Sequence, residues 1–374
     1  MSPTPFPDQA PSASTVSWDT PQRQALFDVW FASMCATHGL AAQTLRLASS
    51  DASFRRYLRV DVQGPGGAAS RIIMDAPPQQ SNCKPFVQVA ELMTQAGLNV
   101  PQILAWDEAD GFMLLSDLGP QTMLQVMQGQ TTPPLGLYLD AVETLVQWQL
   151  ASREGVLPPY DQAFVLRELE LFAQWYVAEY RQFTLDPAQR QTLDAAFAAI
   201  SRNNLAWPNV FMHRDFMPRN LMVADVASAL SAAKPSATRL GVLDFQDAVY
   251  GPITYDIASL MRDAFISWDE DFCLDVTIRY WSKARKAGLP VGDDFGEFYK
   301  GVEWMGLQRN LKIAGIFARL SLRDGKPQYL ADTPRFIAYI RATCARYMEL
   351  KPLLRLVEKI EGIPVPNAYA FGRT

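Results

Sequence analysis

Apolar positions along the chain recur first with helical spacing, then with strand-like alternation, then with helical spacing again. From Arg23 to Cys35, Leu26, Phe27, Trp30, Phe31 and Met34 fall on one helical face. Short β-like runs follow at Leu45–Ala48, Phe54–Val62, Arg71–Met74 and Phe112–Ser116, parted by polar or small-residue turns at Ser49–Ser53 and Gln63–Ala69. A helix over Phe86–Ala96, closed by Gly97, is expected between the third and fourth runs. After Gly119 the pattern becomes that of long helices: Leu137–Leu150, Phe164–Tyr180, and one opened by Asp186-Pro187 as cap and first position. Three more strand-like runs, Asn209–Met212, Leu221–Ala224 and Leu240–Phe245, surround an Ala/Ser-rich insert at Asp225–Thr238. Beyond Gly251 the spacing is helical again, with Thr333-Pro334 as one start.

The pattern predicts an α+β protein with a disordered lead-in over residues 1–20, where four prolines sit among Ser, Thr and Ala. A small strand-rich lobe over 21–118 and a larger helical lobe over 119–374 would follow. A joint between two such lobes is a common place for a ligand cleft.

Composition narrows the function. The 374 residues are 49% hydrophobic and 20% charged, a globular balance. A net charge of −5 argues against a general nucleic-acid binder. The four cysteines show no Cys-x-x-Cys spacing, so reduced thiols are expected rather than a zinc site or a disulfide framework. No run of 18 apolar residues suggests a membrane span, and the N-terminus lacks a secretory pattern. A soluble cytoplasmic protein, and a monomer, is the expectation.

The chemistry concentrates in Phe211–Asn220, where one of only two histidines opens the spacing His213-x-Asp215-x4-Asn220. A carboxylate on a rigid loop can take the proton of an attacking hydroxyl, and an amide oxygen five residues on can reach a metal on the phosphates. Chance would supply this spacing about 0.003 times in such a composition. A second segment, Gly241–Ala248, is an apolar strand ending at Asp244-Phe245, where an acid would hold Mg²⁺ through hard oxygen. Tyr250–Ala258 then opens a helix around Asp256.

The run from His213 to Leu260 resembles the aminoglycoside phosphotransferase and choline kinase family, a small-molecule branch of the two-lobed protein-kinase-like fold. Within it, His213–Val223, Val242–Asp263, Ser50–Val60 and Gln308–Leu320 look like the bacterial kinases that phosphorylate the anomeric hydroxyl of N-acetylmuramate and N-acetylglucosamine in cell-wall recycling. The resemblance implies ATP and Mg²⁺ as cofactors and an amino sugar as partner. It implies Asp215 as the catalytic base, Asn220 and Asp244 as Mg²⁺ ligands, and His213 and Asp256 as braces of the loop. Asp247 is read either as an aid at the metal or as a turn cap.

The smaller lobe departs from the family pattern. The turn with Ser49, Ser50, Asp51 and Ser53 resembles the hairpin that covers the nucleotide but has no glycine, and an ordinary hairpin turn fits it too. Leu114–Gly119 resembles the hinge that receives adenine, with Ser116 and Leu118 as its contacts. Kinases present a lysine from the third strand to the α- and β-phosphates. Here that strand reads Arg71-Ile72-Ile73-Met74-Asp75, so Lys84 or Arg56 is the expected substitute. Met217 replaces a phosphate-facing lysine, with Arg219 as stand-in. The acceptor wall is expected over Gly301–Leu320, with Trp304, Arg309 and Lys312 as candidate contacts, although charges on a long helix also fit a solvated face. A kinase for an aminoglycoside, choline or another alcohol, and a pseudokinase binding module, are the competing readings.

Overall fold

Thr20 accepts the Arg23 N–H and Pro21 opens the first helix, α1 (Pro21–His38), which closes at Gly39 with φ 64°. These residues belong to a computed structural model that describes residues 16–49, 55–64, 69–226 and 235–364. The described chain divides into two compact units. One comprises the residues up to 94 together with 100–120, the other residues 95–99 and 121 onward.

The first unit is an antiparallel sheet in the order β1-β2-β3-β5-β4, formed by β1 (Arg46–Ser49), β2 (Arg56–Asp61), β3 (Ser70–Asp75), β4 (Ile103–Asp107) and β5 (Phe112–Ser116). Helix α1 lays Phe27, Trp30 and Phe31 on this sheet, where they meet Leu58, Val60, Ile73, Phe112 and Leu114. Trp30 stacks on Phe112 at 5.3 Å. Leu26, expected on the buried face, is 44% exposed. Helix α2 (Lys84–Gln95) buries Phe86, Val89 and Met93 and gives way to Gly97 at φ 78°, a left-handed turn that suits glycine. The pattern did not predict β4, whose residues are all half-buried and lack clean alternation.

The second unit is mostly helical, with two small sheets that carry its loops. One is β6 (Gln121–Thr122), β8 (Leu221–Val223) and β9 (Leu240–Val242); the other pairs β7 (Asn209–Met212) with β10 (Val249–Pro252). Around them lie α3 (Met123–Met127), α4 (Leu135–Leu150), α5 (Gln162–Leu171), α6 (Pro187–Leu205), α7 (Thr254–Met261), α8 (Glu270–Lys286), α9 (Phe295–Leu322), α10 (Thr333–Arg346) and α11 (Lys351–Ile360). Asp186 caps α6 through a reciprocal box with Gln189.

Two expected elements are corrected. The helix over Phe164–Tyr180 is α5 followed by a π-helical stretch, Phe172–Tyr180. The strand over Leu240–Phe245 stops at Val242, because Asp244 has φ 61° and cannot continue a ladder.

The 28-residue α9 runs through the interior of this unit and buries residues all round its axis, so the expected solvated face does not exist. Gly315 lets its backbone press on α5: a Cβ there would lie 2.4 Å from the Leu171 carbonyl. No described helix is long and apolar enough to cross a membrane, and all four cysteines are free.

Candidate active site

Residues 213–220 connect β7 to β8, and residues 243–248 connect β9 to β10, so two loops leave the two small sheets side by side. They are tied together. The Leu243 N–H donates to the Asn220 carbonyl at 2.9 Å, and His213 Nε2 donates to the Leu243 carbonyl at 3.0 Å. His213 Nδ1 accepts the Asp215 N–H at 3.2 Å. One nitrogen donating and the other accepting makes the ring neutral, and burial lowers its pKa against the pull of Asp256 and Asp215. The geometry is that of a brace.

Asp256, at the start of α7, is almost fully buried and accepts the N–H groups of His213 and Arg214 at 2.7 and 3.0 Å. The Arg214 carbonyl receives Arg309 Nη1–H at 2.7 Å, and the Asp215 carbonyl receives Asn220 Nδ2–H at 2.9 Å. Between His213 N and Asp215 O, side chains therefore take every backbone polar group but the His213 carbonyl. This tethering holds Arg214 at φ 76°, a conformation costing a side-chain-bearing residue roughly 1–3 kcal/mol. In the neighbouring loop Asp244 is left-handed too, at φ 61°.

Asp215 is half-buried. Burial works against its charge, but Lys312, Arg309 and Arg214 outweigh burial and hold the carboxyl below its ordinary range, so it is ionised and able to accept a proton. Asp244 is exposed, its Oδ2 lies 3.5 Å from Asn220 Nδ2, and its Oδ1 accepts Gln246 Nε2–H at 2.9 Å. The amide nitrogen of Asn220 is turned to the Asp215 carbonyl and to Asp244; its Oδ1 and the Asp244 carboxylate are hard oxygens of the type a phosphate-bound Mg²⁺ uses, and the described residues hold no cluster of three His, Cys, Asp or Glu side chains that could bind a metal. Asp247 is exposed and offers its carbonyl to Arg214 at 3.3 Å. Arg219 stacks 4.9 Å over Phe265.

The structure does not bring Trp304, Arg309 and Lys312 onto an open wall. They are 4%, 2% and 7% exposed. Trp304 packs edge-on against Tyr347. Lys312 pairs with Glu168 at 2.8 Å and donates to Tyr255 Oη at 3.2 Å. Glu168 also receives Arg214 at 3.0 Å and the Tyr160 hydroxyl at 2.5 Å. Sequence reading missed this acid on α5. Its signal was a single acid on the apolar face that carries Val165, Leu169 and Phe172.

In the first unit, Asp75 ends β3 where a lysine was sought, and it is 4% exposed. Arg56 meets it at 2.7 Å and stacks over Trp18, and Arg23 meets it at 2.6 Å, so Arg56 is engaged across the end of the β2–β3 pair. Lys84, the first residue of α2, pairs with Glu108 at 3.0 Å near the surface. Ser116 exchanges hydrogen bonds with Gln102, N–H to carbonyl at 2.9 Å and hydroxyl from N–H at 2.8 Å; Leu118 is half-buried. Of the turn expected to cover the nucleotide, Ser49 ends β1, while Ser50, Asp51 and Ser53 lie outside the described residues.

A scan of family models finds the phosphotransferase enzyme family over residues 44–294, which spans both motif loops. The chain belongs to this family. As a phosphotransferase it is 48% identical to a protein of Neisseria meningitidis serogroup B named N-acetylmuramate/N-acetylglucosamine kinase, over 85% of this chain and 91% of that one. A Pseudomonas aeruginosa protein of the same name is 46% identical over 84% and 87%. Among solved structures, the choline kinase LicA of Streptococcus pneumoniae superposes with a TM-score of 0.57, covering 86% of this chain and all of that one at 11% identity. That likeness shows the kinase-like α+β fold.

Proposed function

We propose that this phosphotransferase is an ATP-dependent kinase that phosphorylates the anomeric hydroxyl of N-acetylmuramate and N-acetylglucosamine, giving 1-phosphates. Relatives 44–48% identical carry those two sugars in their names. The observation that supports the chemistry is the ionised Asp215 carboxylate on a backbone pinned by buried side chains, beside Asn220 and Asp244.

In this reading Asp215 accepts the proton of the anomeric hydroxyl as its oxygen bonds to the γ-phosphorus, and the bond from that phosphorus to the bridging oxygen breaks to release ADP. An anomeric hydroxyl is more acidic than other sugar hydroxyls, and a loose transition state asks little of the nucleophile, so orientation is the main task. Asn220 and Asp244 would hold Mg²⁺, which neutralises phosphate charge when bound. The first unit takes the nucleotide. With Ser116 N–H committed to Gln102, Leu118 is its backbone contact for adenine. The setting is cytoplasmic recycling of cell-wall sugars.

The test is ADP release with a panel of acceptors. N-acetylglucosamine and N-acetylmuramate should each support turnover at least tenfold above background, while choline and an aminoglycoside support none. Turnover with choline or the aminoglycoside alone would replace the sugar reading.

A further inference from the structure

We propose that Arg309 is a positioning residue for phosphoryl transfer: donating from the buried helix α9 to the Arg214 carbonyl, it fixes the left-handed turn that aims the Asp215 carboxylate. Helix α9 begins at Phe295, just after the matched family segment, which ends at residue 294.

The geometry is specific. Arg214 sits at φ 76°, a conformation that side-chain-bearing residues keep only when their surroundings over-determine it. Asp256 holds the N–H side of this residue, and Arg309 Nη1 at 2.7 Å holds its carbonyl side. Arg309 is 2% exposed and lies 4.7 Å over the Tyr255 ring, so its guanidinium has little room to move. The turn is braced a second time through the Arg214 side chain. That side chain meets Glu168 at 3.0 Å, and Glu168 is itself held by Lys312 at 2.8 Å. Gln308, the neighbour of Arg309 on α9, extends the network to Tyr160 at 2.5 Å and to Asn204 at 2.8 Å. Without the Arg309 bond, the peptide between Arg214 and Asp215 keeps the 3.2 Å bond from its N–H to His213 Nδ1 but loses the 2.7 Å bond at its carbonyl, and so gains freedom to tilt. Tilting swings the carboxylate that follows it. A displacement of about 1 Å at a reacting group costs on the order of 10²-fold in rate.

This inference rests on phosphoryl transfer, not on which acceptor is used. Arg309→Met keeps the bulk and removes both donor and charge; Arg309→Lys restores a charge and one donor. Kinetics on N-acetylglucosamine, together with ATP hydrolysis measured without sugar, give kcat and KM for each variant, and melting curves show which are folded. Arg309→Met is expected to lose about 10²-fold in kcat in both reactions with KM for ATP within about threefold, and Arg309→Lys to recover at least tenfold. A folded Arg309→Met enzyme with kcat within threefold of wild type, a loss confined to KM, or a folded Lys variant no better than the Met variant overturns the assignment. If Arg309→Met does not fold, Lys312→Met takes its place by releasing the Glu168 brace, and a loss of kcat at constant KM is again required. Wild-type enzyme that hydrolyses ATP but ignores the sugar defeats the acceptor reading and leaves this test standing.

Discussion

In the proposed reaction Asp215 can act as a base only while it is both charged and aimed, and Arg309 contributes to both conditions. Lys312, Arg309 and Arg214 hold it ionised despite burial, while Arg309 and Asn220 donate to the carbonyls of Arg214 and Asp215, and Asp256 and His213 accept their N–H groups. Asp215→Asn should lower turnover by roughly 10²–10⁴-fold while the melting temperature stays within a few degrees; a folded variant with normal turnover removes Asp215 from this role. A second buried acid behaves differently. Asp263 is 3% exposed, its Oδ1 accepts the N–H groups of Phe265 and Ile266, and its Oδ2 has no hydrogen-bond partner among the described residues. Burial pushes its pKa up to about 6, against those bonds and the nearby Arg335 and Arg309. A pKa raised by folding stabilises the protein below the unfolded value near 4 and loses that contribution as pH rises through 6. Asp263→Asn should therefore gain stability relative to wild type between pH 4 and pH 8, by about 2 kcal/mol over the window. Urea unfolding at both pH values checks the sign, and a difference that stays flat or shrinks contradicts it. Residues linked by local spacing, such as His213, Asp215 and Asn220, were legible in sequence. Arg309 was seen but misplaced, because only tertiary packing decides whether a charge on a helix faces water or a backbone carbonyl.

At the scale of elements, α9 is a buried rod whose glycines permit close approach. Gly315→Ala would gain up to about 1 kcal/mol in helix propensity, yet its Cβ would lie 2.4 Å from the Leu171 carbonyl carbon and oxygen. Backbone cannot swing aside as a side chain can, so the clash wins. A net loss of roughly 1–3 kcal/mol is expected in denaturant unfolding, and a neutral or stabilised variant contradicts the packing described for α5 and α9. The same approach accompanies the change from α- to π-helical winding at Phe172, the residue after Leu171. No propensity scale marks such a change, which is why one continuous helix was expected there. The Gly301, Gly306 and Gly315 series in α9 was the available sign that this helix is packed on several sides. Short apolar strand-like runs found β5 and β7 at their observed bounds. The period fails at Asp244, whose left-handed backbone serves the site and not the sheet.

For the whole molecule, membership in the phosphotransferase family and the kinase-like fold agree with what two short motifs and the shift from strands to helices suggested. The acceptor was read from whole-chain resemblance and not from those motifs, and the residues expected to recognise it were misplaced. The helix expected to recognise it has Trp304, Arg309 and Lys312 turned into the interior, so recognition must come from other residues, and charge pattern alone could not say which. The central claim is transfer to one oxygen, and the methyl 1-glycoside of N-acetylglucosamine isolates that oxygen by blocking it and keeping every other hydroxyl. Phosphorus NMR of reactions with the free sugar and the glycoside, run side by side with ATP and Mg²⁺, reads the outcome directly. The account predicts a sugar 1-phosphate signal from the free sugar and no phosphorylated product from the glycoside. A glycoside phosphorylated as fast as the free sugar would contradict it.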